Sequence, residues 1–203
     1  MTPEGAIKRA EIIELVKARI DELSPFNDTS LVPSVNVIDK ILDNSAKTIL
    51  LALPLHLLTP TVFTGTITQT GNTGHVTLDN DFLRLHSFKM TEWDTEVTQA
   101  ITPANPKYIL QKNPITMGGV NKPVVVIKSD SNGKTLYYYS IPTGGTHTLE
   151  YAYYIPLMTA ENLPDDILDV VAWQCAADVI LIMKGDPKGA LLKVEEYIKL
   201  QTI

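Results

Sequence analysis

LPDDILDVVAWQCAADVILIMKGDPKGALLKVEEYI, residues Leu163–Ile198, reads as two helices joined by a tight turn. Pro164-Asp165-Asp166 suits a helix N-terminus: the proline needs no partner there, and the acids face the positive end of the helix dipole. From Asp169 to Lys184 apolar residues occupy most of the circumference. Such a helix predicts a place at the centre of a core or between subunits. Lys184-Gly185-Asp186-Pro187 then supplies, in order, a cation at a helix end, a terminating glycine, a capping acid and a starting proline. In the helix that follows, Leu191, Val194 and Ile198 share one side, with Glu195, Glu196 and Lys199 elsewhere.

The opposite end of the chain is helical as well. Thr2-Pro3-Glu4 is a start signal of capping hydroxyl, first-turn proline and acid. Ile13, Val16, Ile20 and Leu23 recur at helical spacing, and Pro25 ends the run ahead of a loop over Ser24–Ser34. Lys8, Arg9, Lys17 and Arg19 alternate with acids, the pattern of a solvated helix face. A second helix spans about Val35 to Leu53, with Ile38, Ile41, Leu42, Ser45, Ile49 and Ala52 on one face. Lys40, Asp43 and Lys47 lie opposite, and Asp43 and Lys47, four apart, make a weak ion pair. Pro54 ends that helix, because it removes a donor and clashes with the preceding turn.

Between these ends the period changes. From Thr61 to Tyr154 the chain is rich in Thr, Val, Tyr and Phe, with turn residues at short intervals. Val62–Gln69 and His75–Asp79 flank the turn Gly71-Asn72-Thr73-Gly74, and Phe82–Met90 alternates as a strand. Pro103, Pro106 and Pro114 mark a looser stretch of edges and connections. Val124–Ile127 and Leu136–Ser140 flank Asn132-Gly133, a dipeptide suited to positive φ in a tight hairpin. Pro142-Thr143-Gly144-Gly145 gives the next turn. It leads into a strand with His147, Leu149, Tyr151 and Tyr153 on one face and Thr148, Glu150 and Ala152 on the other. A three-stranded antiparallel meander is the simplest arrangement. The expected class is α+β: residues 1–60 and 158–203 form a helical body, and residues 61–157 an inserted antiparallel β module.

Composition narrows the function. The chain has 203 residues, 44% hydrophobic and 20% charged, which is ordinary globular composition. A net charge of -6 and a pI near 5.2 argue against a nucleic-acid binder held by phosphate contacts. Cys175, the one cysteine, lies in an apolar run and reads as a small buried hydrophobe of a reducing compartment. The charge-rich opening Thr2–Asp21 does not read as a signal peptide. Ile49–Leu58 is interrupted by Pro54 and His56, and Val170–Met183 by Gln174 and Asp178. Both are shorter than the roughly 18 residues of a membrane span, so a soluble chain without membrane contact is expected.

Chemistry-bearing patterns are few in this chain. His56, His75, His86 and His147 stand apart, with no His-x-x-x-His pair and no neighbouring cysteine, so no zinc pattern arises. His75 and His147, near strand starts, read as surface or half-buried. Asp165, Asp166 and Asp169 read as charge at a helix N-terminus rather than a metal cluster. Asp79 and Asp81 around Asn80 read as a turn, because the rest of a calcium loop is missing. There is no Gly-x-Ser-x-Gly elbow and no phosphate-cradling loop. Tyr137, Tyr138, Tyr139, Tyr151, Tyr153 and Tyr154 could line an aromatic face, and cross-strand packing explains them. No catalytic, metal-binding or cofactor-binding residue is expected, and an enzyme is not.

Three stretches in this order carry a resemblance: ILLALPLHLL at Ile49–Leu58 after paired helices, LEYAYYIP at Leu149–Pro156 closing the β module, and the opening stretch Leu163–Ile198. They resemble the head-to-tail adaptor proteins of tailed bacteriophages. Within these the chain is similar to podovirus-type adaptors, the tubular protein A or gatekeeper group, and to a ring protein of crAss-like phages. The resemblance implies a structural virion protein of the neck, made in the host cytoplasm and assembled as a homo-oligomeric ring, a dodecamer. It implies as partners the portal protein on one side and the next tail ring or tail tube protein on the other. DNA would pass through without sequence-specific binding, and an acidic subunit suits such a channel because a basic lumen would hold phosphates. No family catalytic residues are carried over, and no cofactor.

A ring needs two different patches on each subunit. The helix Val170–Met183 and the stripe Ile38–Ile49 are candidate sources. Leu191, Val194, Ile198 and Leu200 are candidate portal contacts, against the plainer role of packing on the preceding helix. The alternative function is a ligand- or carbohydrate-binding module using the β domain and its tyrosines. A third reading is a small hydrolase whose site is assembled from distant residues.

Overall fold

Thr2 Oγ1 accepts a hydrogen bond from the Gly5 N–H at 3.2 Å, and helix α1, Pro3–Leu23, starts there. The structure, a computed structural model, describes residues 2–23, 33–113, 115–116, 118–130, 133–142, 147–183 and 185–202. The chain divides into two units, one of Met1–Leu58 with Leu157–Ile203 and one of Thr59–Pro156. Among the described residues the first unit carries four α-helices and the second seven strands and one short helix, an α+β fold.

In the helical unit, α1 buries Ile12, Ile13, Val16 and Ile20. Helix α2, Val35–Ala52, buries Ile38, Leu42, Ser45, Ala46, Ile49 and Leu50. Ile41 is half-buried and Ala52 exposed, contrary to the expected face. At 3.6 residues per turn both lie roughly a quarter turn from the centre of the buried stripe, and Ala46 and Leu50 take their place. One short turn at Asp165–Ile167 leads into α4, Leu168–Ile182, which packs against α1, α2 and the last helix, α5, Lys188–Leu200. Three neighbours account for its apolar circumference, since Val170–Ala177 and Val179 are all buried. Each Val, Leu or Ile so buried stabilises the unit by about 1.5–3 kcal/mol. The Gly185 N–H donates to the Ile180 carbonyl at 2.8 Å, closing α4 with the bond of a Schellman end. Asp186 Oδ1 then accepts from the Lys188 N–H at 3.1 Å to open α5.

The β unit holds two sheets. Strands β1 (Thr61–Val62), β7 (Leu149–Pro156) and β4 (Phe82–Met90) form one, in the order β1-β7-β4. Strands β2 (Ile67–Thr70), β3 (Thr73–Thr77), β6 (Gly133–Tyr138) and β5 (Val125–Asp130) form the other, in that order. All neighbours are antiparallel. Both sheets contribute to one core, in which the Phe88 ring lies 5.8 Å from Trp93 and 5.6 Å from Tyr138, and Phe82 stacks on Tyr154 at 5.6 Å.

Three expectations need correction here. The single strand Val62–Gln69 is two strands in different sheets, split at Gly65, where a Cβ would stand 2.0 Å from the Phe63 ring folded over it. The meander does not form: β6 pairs with β3 and β5, whereas β7 pairs with β1 and β4. The chain leaves β6 at Ser140, in the left-handed region at φ 72°, with its carbonyl accepting from Trp93 Nε1 at 3.2 Å. That turn carries it out of the sheet before β7 begins. Finally, the proline-rich connection contains helix α3, Pro106–Leu110, with Asn105 Oδ1 accepting from the Lys107 N–H at 2.9 Å and proline in its first turn. Residues 24–32 of the expected first loop, Asn132, Pro114, Lys184 and the turn residues Thr143-Gly144-Gly145 lie outside the described residues.

Candidate functional site

Arg9 sits on α1 three and four residues before Ile12 and Ile13, so it points with the apolar stripe and not to solvent. Its side chain is 12% exposed and gathers three carboxylates: Asp39 at 2.6 Å, Asp43 at 3.0 Å and Glu161 at 2.9 Å. Its Nη2 also donates to the Asp39 carbonyl at 2.9 Å. Asp43 Oδ1 accepts in addition from the Ala160 N–H at 3.1 Å. Burial works to raise the Asp43 carboxyl, but the hydrogen bonds from Arg9 and Ala160 outweigh it and hold the group below its ordinary range. Glu161 is lowered too: burial opposes, and hydrogen bonds from backbone, Thr159 and Arg9 prevail. The expected solvated face and the expected Asp43–Lys47 pair are therefore both replaced by an ion cluster joining α1, α2 and the turn at Ala160–Asn162.

Two further cations of α1 meet the start of α4. Lys8 Nζ lies 2.8 Å from Asp165 and donates to the Leu163 carbonyl at 2.8 Å. Arg19 pairs with Asp169 at 2.7 Å and with Glu22, and its guanidinium lies 5.0 Å from the Trp173 ring centre. Asp166 offers only its carbonyl, to the Tyr197 hydroxyl at 2.9 Å. Asp165, Asp166 and Asp169 thus diverge, and two of them are neutralised. Among the described residues, no group of three His, Cys, Asp or Glu side chains is placed to hold a metal ion.

A second polar group lies between α2 and α4. Ser45 Oγ donates to Asp178 Oδ2 at 2.6 Å, and Gln174 Nε2 to Asp178 Oδ1 at 2.9 Å. Cys175 is buried beside them, and burial pushes its thiol up to about 12. A thiol so placed stays protonated and out of reach of substrate. The histidines are scattered. His56 is exposed, His75 lies 5.7 Å from the Tyr137 ring, and His86 meets the edge of Tyr153 at 6.4 Å. His147 Nδ1 is 2.7 Å from Glu92 Oε1, its ring buried.

The tyrosines do not form one face. Tyr138, Tyr139 and Tyr154 are buried, while Tyr151 and Tyr153 lie 5.8 Å apart on β7. Tyr137 faces away from the core with Lys128 Nζ 3.8 Å over its ring, and Lys128 and Lys112 flank the Tyr108 ring at 5.2 and 4.9 Å.

What remains for partners is apolar surface. On α5, Val194 is buried and Ile198 half-buried, whereas Leu191 and Leu200 are 39% and 66% exposed. The four residues singled out from sequence thus share a helix but not a fate. Leu181 and Ile182 at the end of α4 are exposed, the part of the candidate patch Val170–Met183 that stays open, and Leu192 on α5, outside the expected patches, is exposed as well. Their signal was the apolar run itself, which is longer than three packed neighbours need. No helix among the described residues is long and apolar enough to cross a membrane.

No curated protein matches the chain. A family model described as SU10 adaptor protein matches residues 8–192. That span takes in most of α1, all of α2, α3 and α4, all seven strands and the first part of α5. It covers nearly the whole chain and reaches into both units, and the chain therefore belongs to the SU10 adaptor protein family.

Proposed function

We propose that this chain is a structural virion protein of a tailed phage, an adaptor that joins head to tail. The observation that carries the proposal is the adaptor-family match over residues 8–192. Membership of an adaptor family supports a structural role over a catalytic one. The subunits close into a ring of twelve, with the portal protein on one side and the next tail ring or tail tube protein on the other. DNA passes through the ring without sequence-specific contact. Podovirus-type adaptors and ring proteins of crAss-like phages are the nearest expectation. A head-to-tail ring consumes two different patches per subunit, and the exposed Leu191 and Leu200 of α5 supply part of the surface that meets the portal.

The acidic excess supports this reading. The helical unit carries sixteen Asp and Glu against ten Lys and Arg, and the β unit seven of each. A surface of that sign does not hold phosphates by counterion release. The test mixes the purified chain with the portal ring of the same phage and measures mass by light scattering, then images the complex by electron microscopy. A closed ring seated on the portal is expected. A monomer that ignores the portal ends the proposal, and one that binds glycans instead returns the carbohydrate-binding module.

A further inference from the structure

The two units carry surfaces of opposite shape and opposite charge. On the helical unit, α1 and the start of α4 frame an open groove of about 640 Å³. Its floor is Ile7, Leu15 and Leu168, and Ile7 is 63% exposed. Its rim carries Glu4 and Glu11, neither of which enters an ion pair among the described residues, together with the Lys8–Asp165 pair, which cancels itself. On the β unit, α3 and Ile115 beyond it present an apolar knob. Ile109, Leu110 and Ile115 are exposed, Ile115 at 91%, a value that leaves almost all of a large apolar side chain in water. Lys107 and Lys112 stand among them, again with no ion pair among the described residues. An apolar centre ringed by charge is the build of a protein interface, in which the anchors supply affinity and the rim supplies partner choice.

We propose that the knob Ile109/Leu110/Ile115, flanked by Lys107 and Lys112, docks into the Glu4/Glu11-rimmed groove of a second copy of this chain. The occupant is a second copy because each feature finds its complement on the same sequence: apolar tip against apolar floor, and two cations outside every ion pair among the described residues, Lys112 resting 4.9 Å over the Tyr108 ring, against two acids that are likewise outside them. Knob and groove are different surfaces, so the contact is heterologous and repeats from copy to copy rather than stopping at a dimer. The inference rests on the adaptor reading, to which it adds the residues of the subunit contact. Three apolar side chains are fewer than a standard interface of about 800 Å² per partner requires. They form its anchored centre, not its whole area.

Charge reversal in the full chain tests the pairing. Lys107→Glu with Lys112→Glu, and separately Glu4→Lys with Glu11→Lys, each weaken self-association at least tenfold by light scattering. The chain carrying all four substitutions recovers it. Ile109→Asp with Ile115→Asp gives a knob-deficient chain that stays monomeric with unchanged circular dichroism. Mixed with the Glu4→Lys/Glu11→Lys chain, it forms a one-to-one pair and nothing larger, because one intact knob then meets one intact groove. Self-association of the wild type that none of these variants alters overturns the inference and leaves the adaptor reading standing. Failure of the fourfold variant to recover what both halves lose also overturns it. A wild-type chain that never associates, with or without a portal, overturns both.

Discussion

Replacing Arg9 by methionine keeps the length of the side chain and removes the one cation that joins Asp39, Asp43 and Glu161, leaving the Ala160 N–H on Asp43 and the Thr159 and backbone hydrogen bonds on Glu161 in place. Glu161, 12% exposed, is left as a buried carboxylate without a cation, while Asp39 and Asp43, at 47% and 46%, can still reach water. Breaking a buried pair from one side costs about 3–5 kcal/mol, and an exposed pair about 0–1. With one deep partner and two half-exposed ones, Arg9→Met should cost the helical unit about 2–3 kcal/mol. The two tryptophans allow a unit-specific assay, since Trp173 lies in α4 and Trp93 in the β unit. In a Trp93→Phe background, Trp173 fluorescence reports urea unfolding of the helical unit alone. At an m-value of about 1–3 kcal/mol/M the midpoint falls by about 0.7–3 M. The pH dependence fixes the cause. Asp43 and Glu161 have folded pKa values below their ordinary 3.8 and 4.5, so the stability they contribute is full above those values and is lost as pH falls through the lower folded ones. The gap between parent and Arg9→Met is therefore widest near neutrality and closes below about pH 4. An unmoved midpoint at pH 7, or a gap as wide at pH 3 as at pH 7, would refute the electrostatic account.

Three other outcomes are expected. A Cβ at Gly74 would stand 2.1 Å from both the hydroxyl and Cζ of the buried Tyr138 ring. Gly74→Ala should thus cost the β unit about 1–3 kcal/mol, read as a lower urea midpoint in Trp93 fluorescence, and an unchanged midpoint would show that the ring yields freely. Cys175, its thiol raised to about 12 by burial, should resist a disulfide reagent at pH 8 until denaturant is added; prompt labelling of the native chain contradicts its burial. Leu191→Asp with Leu200→Asp should leave the Trp173 midpoint within about 0.5 kcal/mol of the parent while weakening portal binding. Val194→Asp should unfold the helical unit by burying a charge. Equal destabilisation by both variants would mean that Leu191 and Leu200 are core residues after all.

Local order was legible in the residues and long-range pairing was not. The strand Phe82–Met90 and the helices over Pro3–Leu23 and Val35–Ala52 follow from period, caps and proline stops, all of which act within a few residues. The partner of β7 does not follow, because any strand of matching alternation satisfies the same pattern. What diverts the chain is the left-handed turn at Ser140, a residue type that carries no signal for positive φ. The Arg9 cluster was half legible. Arg9, Ile13, Val16 and Ile20 recur at helical spacing, so a cation standing on an apolar stripe was there to be noticed. Its partner Glu161 lies 152 residues away, and only the fold brings it near. The helix α3 was signalled by Asn105-Pro106, a cap followed by a first-turn proline, and was obscured by the other prolines around it.

The apolar content of α4 and α2 changes meaning once its neighbours are known. A helix greasy on every side looks like one that a single subunit cannot hide, and that made Val170–Met183 and Ile38–Ile49 candidate interface. Yet Val170, Val171, Ala172, Cys175, Ala176 and Val179 are buried within one chain, as are Ile38, Leu42 and Ile49. A side chain already dry gains nothing from a second burial, so these residues cannot drive assembly without first opening the unit, at about 1.5–3 kcal/mol for each side chain exposed. In the proposed assembly the drive comes from apolar surface that stays wet in the single chain, among it Ile7 beside its acids, Ile109 and Ile115 beside their lysines, and Leu181, Ile182, Leu192 and Leu200 at the C-terminal hairpin. The first two sets are complementary in charge and the third is not paired with either. The proposed ring asks for that division, with one pair of surfaces for neighbours of its own kind and a separate one for the proposed portal contact.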